Sequence, residues 1–403
     1  MCFVYENAVI TFVAPEASSS DVGLSISNPR RGTVKLDFEM SDNSVRPQGV
    51  VYVREALSSL VFPLHAHRTE PSPESIISTR AWTMQELLLS PRVLWFGSAE
   101  IGWSCWSATA CECQPRLTFE YLHIDERSPQ SKLLKISSSQ KQIGKSDTDW
   151  GRTWCDLVEQ YTSRHLTVAT DRLPAMSGLA AAIGNHLPSD YLAGVWQSQL
   201  SSQLLWYSAW SVQSSSDAYA QTLEDDYAPS WTWASVPGSV VFDINDDMKR
   251  SSHVWRVISV DFHHFDIGHF GRGNGSITLE SYLWPVYGAR TRLEQISDLN
   301  GRALPNDVPI VDEDGIMWDP RPKTRAWDGD DPVNEELWFF AGALVKSSRH
   351  KYFVSCKGLV LERLPNSNKY RRLGGGIAPL GKSAPKDWDA WKQKAQWATI
   401  ILV

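Results

Sequence analysis

Between residues 4 and 14 almost every position is apolar or β-branched, with no clean alternation, which predicts a strand buried on both faces. Residues 33–38 and 50–53 do alternate and predict half-exposed strands. Thr79 stands where an N-cap belongs and predicts a short helix over 80–89, with Trp82, Gln85, Glu86 and Leu89 on one face. Ser90-Pro91 ends that helix, and 92–96 returns as a strand closed by Gly97. Residues 126–150 are rich in Ser, Lys, Gln and Asp and predict a flexible surface segment. Helical spacing begins at Trp154, with Leu157, Val158 and Tyr161 on the same face. A second helix is expected over 173–183, entered through Pro174, and a third helical unit over 191–196 and 199–206. From Trp231 the period shortens. Strands are expected over 232–236, 254–262, 276–283, 337–345, 352–354 and 358–363, with an acidic, proline-containing excursion over 295–335. A short helix over 387–396 and a strand over 399–403 close the chain.

The fold class expected is therefore α+β. A partial α/β region (1–125) and a flexible linker (126–150) precede a helical region (151–215) and a β-rich domain (216–403), the last an antiparallel barrel or sandwich.

Composition narrows the setting. The 403 residues are 42% hydrophobic and 21% charged, as in ordinary globular chains. The net charge of −7, without a lysine-arginine block, argues against a nucleic-acid partner, which would need a basic face. No apolar run reaches the roughly 18–20 residues that span a bilayer. The first fourteen residues carry Glu6 and no basic flank, unlike a signal peptide. Six cysteines scattered at 2, 105, 111, 113, 155 and 356 do not form a secreted framework, so a cytoplasmic location is expected. Nineteen tryptophans are the outlier; they either fill the core or wall an aromatic cavity.

Recognisable reaction motifs are missing from the sequence. Gly271-x-Gly273-x-Gly275 reads as a turn among strand signals, and Gly374-Gly375-Gly376 as a loop. There is no phosphate-binding loop and no Gly-x-Ser-x-Gly elbow. Cys111-x-Cys113 lacks a second pair at zinc spacing. His263-His264 with Asp261, Asp266 and His269 is the most metal-like cluster, but on a strand His263 and His264 point to opposite faces, so a polar hairpin is read there. Asp312-Glu313-Asp314-Gly315 reads as a solvated turn, and His65 and His67 as structural or exposed. No metal and no cofactor are expected. Glu86 is either one half of an ion pair with Arg80 or Arg92, or a hydrogen-bonding or acid-base group in a cleft.

The stretch Arg80-Ala-Trp-Thr-Met-Gln-Glu, then Leu87-Leu-Leu-Ser-Pro-Arg-Val-Leu-Trp-Phe-Gly and Trp103-Ser-Cys-Trp, resembles the closing part of the fungal HET (heterokaryon incompatibility) domain. Val4-Tyr5-x-Asn7-Ala8 before it is similar to that family too. So are Trp154-x-x-Leu157-Val158-x-x-Tyr161, Asp171-x-Leu173-Pro174-Ala175, Asp190-Tyr191-Leu192-Ala193-Gly194-x-Trp196 and Ala228-Pro229-Ser230-Trp231-Thr232-Trp233 after it. The resemblance implies a cytosolic non-self recognition protein linked to cell death, with a protein partner. Two departures shape the expectation. The Leu-Ser-Tyr-x-Trp-Gly-like and Trp-Ile-Asp-x-Leu-Cys-Ile-Asn-Gln-like motifs of the family's upstream segment do not occur, which implies an N-terminally truncated member without the site built there. Trp103-Ser104-Cys105-Trp106 stands where the family often has Trp-Glu-Cys-Arg, so an indole replaces a charge.

These departures give a further expectation: a cofactor-independent cyclase or isomerase of the pericyclase or Diels-Alder type, acting on a bulky hydrophobic terpenoid- or polyketide-like intermediate. Such a site would work by holding a flexible substrate in a reactive fold. Its expected walls are Trp103, Trp106, Trp206, Tyr207, Trp231 and Trp233. Its expected polar groups are Arg80, Gln85, Glu86 and Ser104. The alternatives are the incompatibility protein and a non-catalytic interaction protein. An indole-walled pocket favours the catalyst, and a filled core beside an exposed apolar patch favours interaction.

Overall fold

A computed structural model describes residues 2–19, 21, 23–24, 34–39, 48–53, 75–97, 101–105, 108–111, 147–208, 227–242, 252–265, 269–285, 310–311, 317–318, 337–346, 353–379 and 384–403. Trp106, His65, His67, Asp266, Cys113, the 312–315 turn and residues 126–146 of the expected linker lie outside them. The chain is mixed α and β, and its contacts divide it into unit 1, residues 1–143, and unit 2, residues 144–403.

Unit 1 starts with a short helix, α1 (Cys2–Glu6), where a strand was expected. Asn7 stops it: its side-chain amide donates to the Phe3 carbonyl at 2.8 Å, and its backbone N–H reaches the same oxygen at 3.3 Å. A turn fixed this way leaves only β1 (Thr11–Val13) extended. The alternating segments are strands, as the pattern predicts, β2 (Val34–Glu39) and β3 (Gln48–Val53), and they pair antiparallel. The expected helix over 80–89 is α3 (Ala81–Leu89), and a further short helix, α2 (Ile76–Thr79), precedes it. Ser75 caps α2 by accepting from the Ser78 N–H at 3.3 Å. Thr79 is no cap, because its hydroxyl donates to the Ile76 carbonyl at 2.8 Å. Arg80 is extended and forms the break between them.

β4 (Arg92–Phe96) follows, then β5 (Ile101–Cys105) and β6 (Ala108–Cys111). The sheet order is β1-β4-β5-β6, with β1 parallel to β4 and the other pairs antiparallel. Val13, Val93 and Trp95 form the core on one face, packed against Ile77 and Leu87 from the helices.

Unit 2 opens on α4 (Asp147–Thr162), which includes residues 147–150 of the segment expected to be flexible. Trp154, Leu157, Val158 and Tyr161 make its buried face, as the spacing predicts. A 3-10 turn at Pro174–Met176 leads into α5 (Ser177–Gly184). The expected third helical unit begins instead as a two-residue hairpin, β7 (Tyr191–Leu192) and β8 (Val195–Trp196). Ala193 (φ 45°) and Gly194 (φ 113°) between them both lie at positive φ, which excludes a helix and makes a tight reversal. Only α6 (Leu200–Gln203) is helical there, and β9 (Trp206–Ser208) pairs with β10 (Val240–Phe242). The strand expected over 232–236 is a 3-10 turn, Trp233–Ser235, because the Thr232 side chain caps it at the Ala234 N–H.

The largest sheet holds β11 (Ser252–His253), β12 (Arg256–His264), β13 (Gly273–Pro285), β14 (Ile310–Val311), β15 (Met317–Trp318), β16 (Leu337–Lys346), β17 (Phe353–Arg363), β18 (Lys369–Pro379) and β19 (Gln396–Leu402). Helix α7 (Ala384–Lys394) precedes β19. The pairings β16-β13-β19-β18-β17-β16 form a closed circuit, antiparallel except for β18 with β19. Gly374, Gly375 and Gly376 belong to β18 and are not a loop. A Cβ on Gly376 would come within 2.9 Å of the Phe339 ring, so the missing side chain is what lets the strand pass. Gly273 and Gly275 likewise lie within β13, against β12, and not in a turn.

Candidate functional site

In unit 1 the residues of β4 divide by alternation. Val93 and Trp95 face the helices, while Arg92, Leu94 and Phe96 face the other way. Register carries this division across the sheet. Phe12 lies beside Leu94, Trp103 opposite Leu94, Ile101 opposite Phe96 and Cys105 opposite Arg92. The Phe12 and Phe96 rings meet at 5.9 Å between centroids. The second face is thus a patch of Phe12, Leu94, Phe96, Ile101 and Trp103. Phe12 is 56% exposed, and the other four are partly exposed. Phe3, Val4 and Val9 nearby in sequence are also exposed. At the Arg92–Cys105 end of the face lies an open cleft of about 420 Å³, lined by Glu6, Asn7, Val9, Pro91, Arg92 and Cys105. The Arg92 guanidinium donates to the Val9 carbonyl at 3.4 Å, fixing the chain between α1 and β1.

Of the expected polar groups, Gln85 and Glu86 lie on α3, Arg80 at its entry and Ser104 on β5. Ser104 points to the helix-covered face, where its hydroxyl accepts from the Trp95 indole N–H at 3.0 Å. Gln85 is buried, with 1% exposure. Glu86 is half-buried, and its carboxylate acts on the Tyr5 phenol. Burial and the Glu86 carboxylate push the Tyr5 phenol above its ordinary range, partly opposed by the Arg80 charge. Arg80 itself is exposed at the junction of α2 and α3. The contact linking α1 to α3 is thus a phenol and a carboxylate, flanked by a guanidinium.

In unit 2 three of the expected wall residues, Trp206, Trp231 and Trp233, are packed into the interior. Trp231 and Trp233 have 0% exposure and Trp206 has 2%. The Trp233 N–H donates to the Gly194 carbonyl at 2.6 Å, and the Trp154 N–H shares that acceptor at 2.8 Å. The Trp206 N–H donates to the Trp231 carbonyl at 3.0 Å. The fully buried Arg372 guanidinium lies 3.5 Å from the Trp206 ring centroid, and it donates to the Trp206 carbonyl as well. Arg172 covers Trp233 at 5.3 Å, with its pKa pulled down to about 10 by burial. Tyr207 is half-buried and pairs with Val241. The carbonyls that face these indoles make them structural cement: an apolar body and a satisfied N–H.

Among the described residues no group of three or more His, Cys, Asp or Glu is placed to hold a metal ion, and no helix is long and apolar enough to cross a membrane. The chain matches no family model, no curated protein and no solved structure. Among the described residues singled out from sequence, only Trp103 falls on the apolar face; Phe12, Leu94, Phe96 and Ile101 were missed. The signal for Leu94 and Phe96 was the unbroken Val-Leu-Trp-Phe run, which implies a strand apolar on both faces.

Proposed function

We propose that this chain is a non-catalytic recognition protein of the kind its HET-like segments imply, acting in the cytosol and binding a protein partner through the apolar face of unit 1. The observation that carries this reading is the patch of Phe12, Leu94, Phe96, Ile101 and Trp103 on the sheet face opposite Val93 and Trp95. A contiguous apolar sheet face left partly open is what a partner covers. The packing of Trp206, Trp231 and Trp233 supports this reading over a cyclase acting on a hydrophobic intermediate, because a filled indole has no free face for a substrate.

The test is induced expression in a filamentous fungus, with death scored by dye uptake. Phe12→Asp removes an apolar contact of about 1–1.5 kcal/mol and adds a charge that a dry interface rejects. Wild type arrests growth and Phe12→Asp, at equal protein level and equal thermal stability, does not. A harmless wild type, or purified protein that accelerates cyclisation of a terpenoid or polyketide precursor over buffer, overturns the reading.

A further inference from the structure

The β12–β13 hairpin of unit 2 sorts its histidines by face. His263 lies with Asp261 at 3.4 Å, both strongly exposed. His264 lies on the other side, edge-on to the Phe262 ring at 4.9 Å. There it meets His269 from the turn, with ring centroids 5.5 Å apart and planes at 88°. We propose that His264 and His269 form a two-imidazole site for a late first-row divalent cation, Cu²⁺ or Zn²⁺, at the tip of this hairpin.

Two observations carry it. First, two imidazoles that bind one ion through nitrogen at about 2.0–2.1 Å have ring centroids roughly 5 Å apart, close to the spacing seen here. Second, His264 Nδ1 is buried without a hydrogen-bond partner, a costly state for a ring nitrogen that a metal would relieve. Two protein ligands leave the remaining positions to water, which suits nitrogen-preferring ions and not Mg²⁺ or Ca²⁺.

The test is calorimetric titration of the untagged full chain with Cu²⁺, Zn²⁺ and Ca²⁺ at neutral pH. One saturable equivalent is expected, tighter for Cu²⁺ than for Zn²⁺, with no heat from Ca²⁺. His269 is exposed, so His269→Ala keeps the fold and should weaken Cu²⁺ binding at least tenfold. His263→Ala should leave it unchanged. Absence of saturable binding, unchanged affinity in His269→Ala, or an equal loss in His263→Ala overturns the proposal.

Discussion

Replacing Trp233 by alanine distinguishes an indole that holds unit 2 together from one that borders a substrate cavity. The side chain is fully buried, edge-on to Tyr161 at 6.1 Å and beneath Arg172 at 5.3 Å. Removing it empties an indole-sized volume among groups that cannot all collapse, and buried Trp→Ala changes of this kind cost about 3–5 kcal/mol. The Gly194 carbonyl does not become an orphan, since Trp154 still donates to it at 2.8 Å. Trp233→Phe should therefore lose only one hydrogen bond and part of the ring, about 1–2 kcal/mol. For a unit of this size the alanine change corresponds to a fall of roughly 6–20 °C in Tm. Thermal and urea unfolding followed by circular dichroism measure both variants. An alanine variant within about 1 kcal/mol of wild type would refute the packing argument, because it would mean the ring already faces empty space or solvent.

Two further outcomes follow from the same geometry. Gly194→Ala should cost at least about 2 kcal/mol, because φ is +113° and the new Cβ would lie 2.7 Å from the Trp233 Nε1 atom; a loss under about 1 kcal/mol in urea unfolding would contradict it. Burial holds the Lys357 ammonium down to about 8, so above that pH the unfolded chain binds more protons than the folded one and stability rises with pH, levelling off near the unfolded value of about 10.4. Lys357→Met should abolish that rise and raise stability at pH 7 by about 1 kcal/mol, after allowing for the screening of a partly exposed amine. Parallel Tm-against-pH curves for the two proteins would contradict this.

What could be read from the sequence depended on how local the decisive contact was. The α4 face of Trp154, Leu157, Val158 and Tyr161 was legible because spacing alone dictates it. The strands β2 and β3 and the strand at 92–96 were legible for the same reason. The helix at Cys2–Glu6 was not, since it depends on one Asn7 side chain turning back to a carbonyl. Nor was the strand role of Gly374–Gly376, where the requirement is set by Phe339 from a distant strand. The tryptophan surplus was visible, but whether an indole fills or lines depends on long-range partners such as Arg372 for Trp206 and Gly194 for Trp233. The apolar second face was implicit in the Val-Leu-Trp-Phe run. Its place in the sheet needed the register that sets Phe12 beside Leu94 and Trp103 across from it.

The most direct test sets Phe12→Asp against Trp233→Phe in the same fungal expression assay, at matched protein level. If recognition runs through the sheet face of unit 1 and the indoles are cement, Trp233→Phe still kills and Phe12→Asp does not. Loss of killing in Trp233→Phe with full killing by Phe12→Asp would contradict the account.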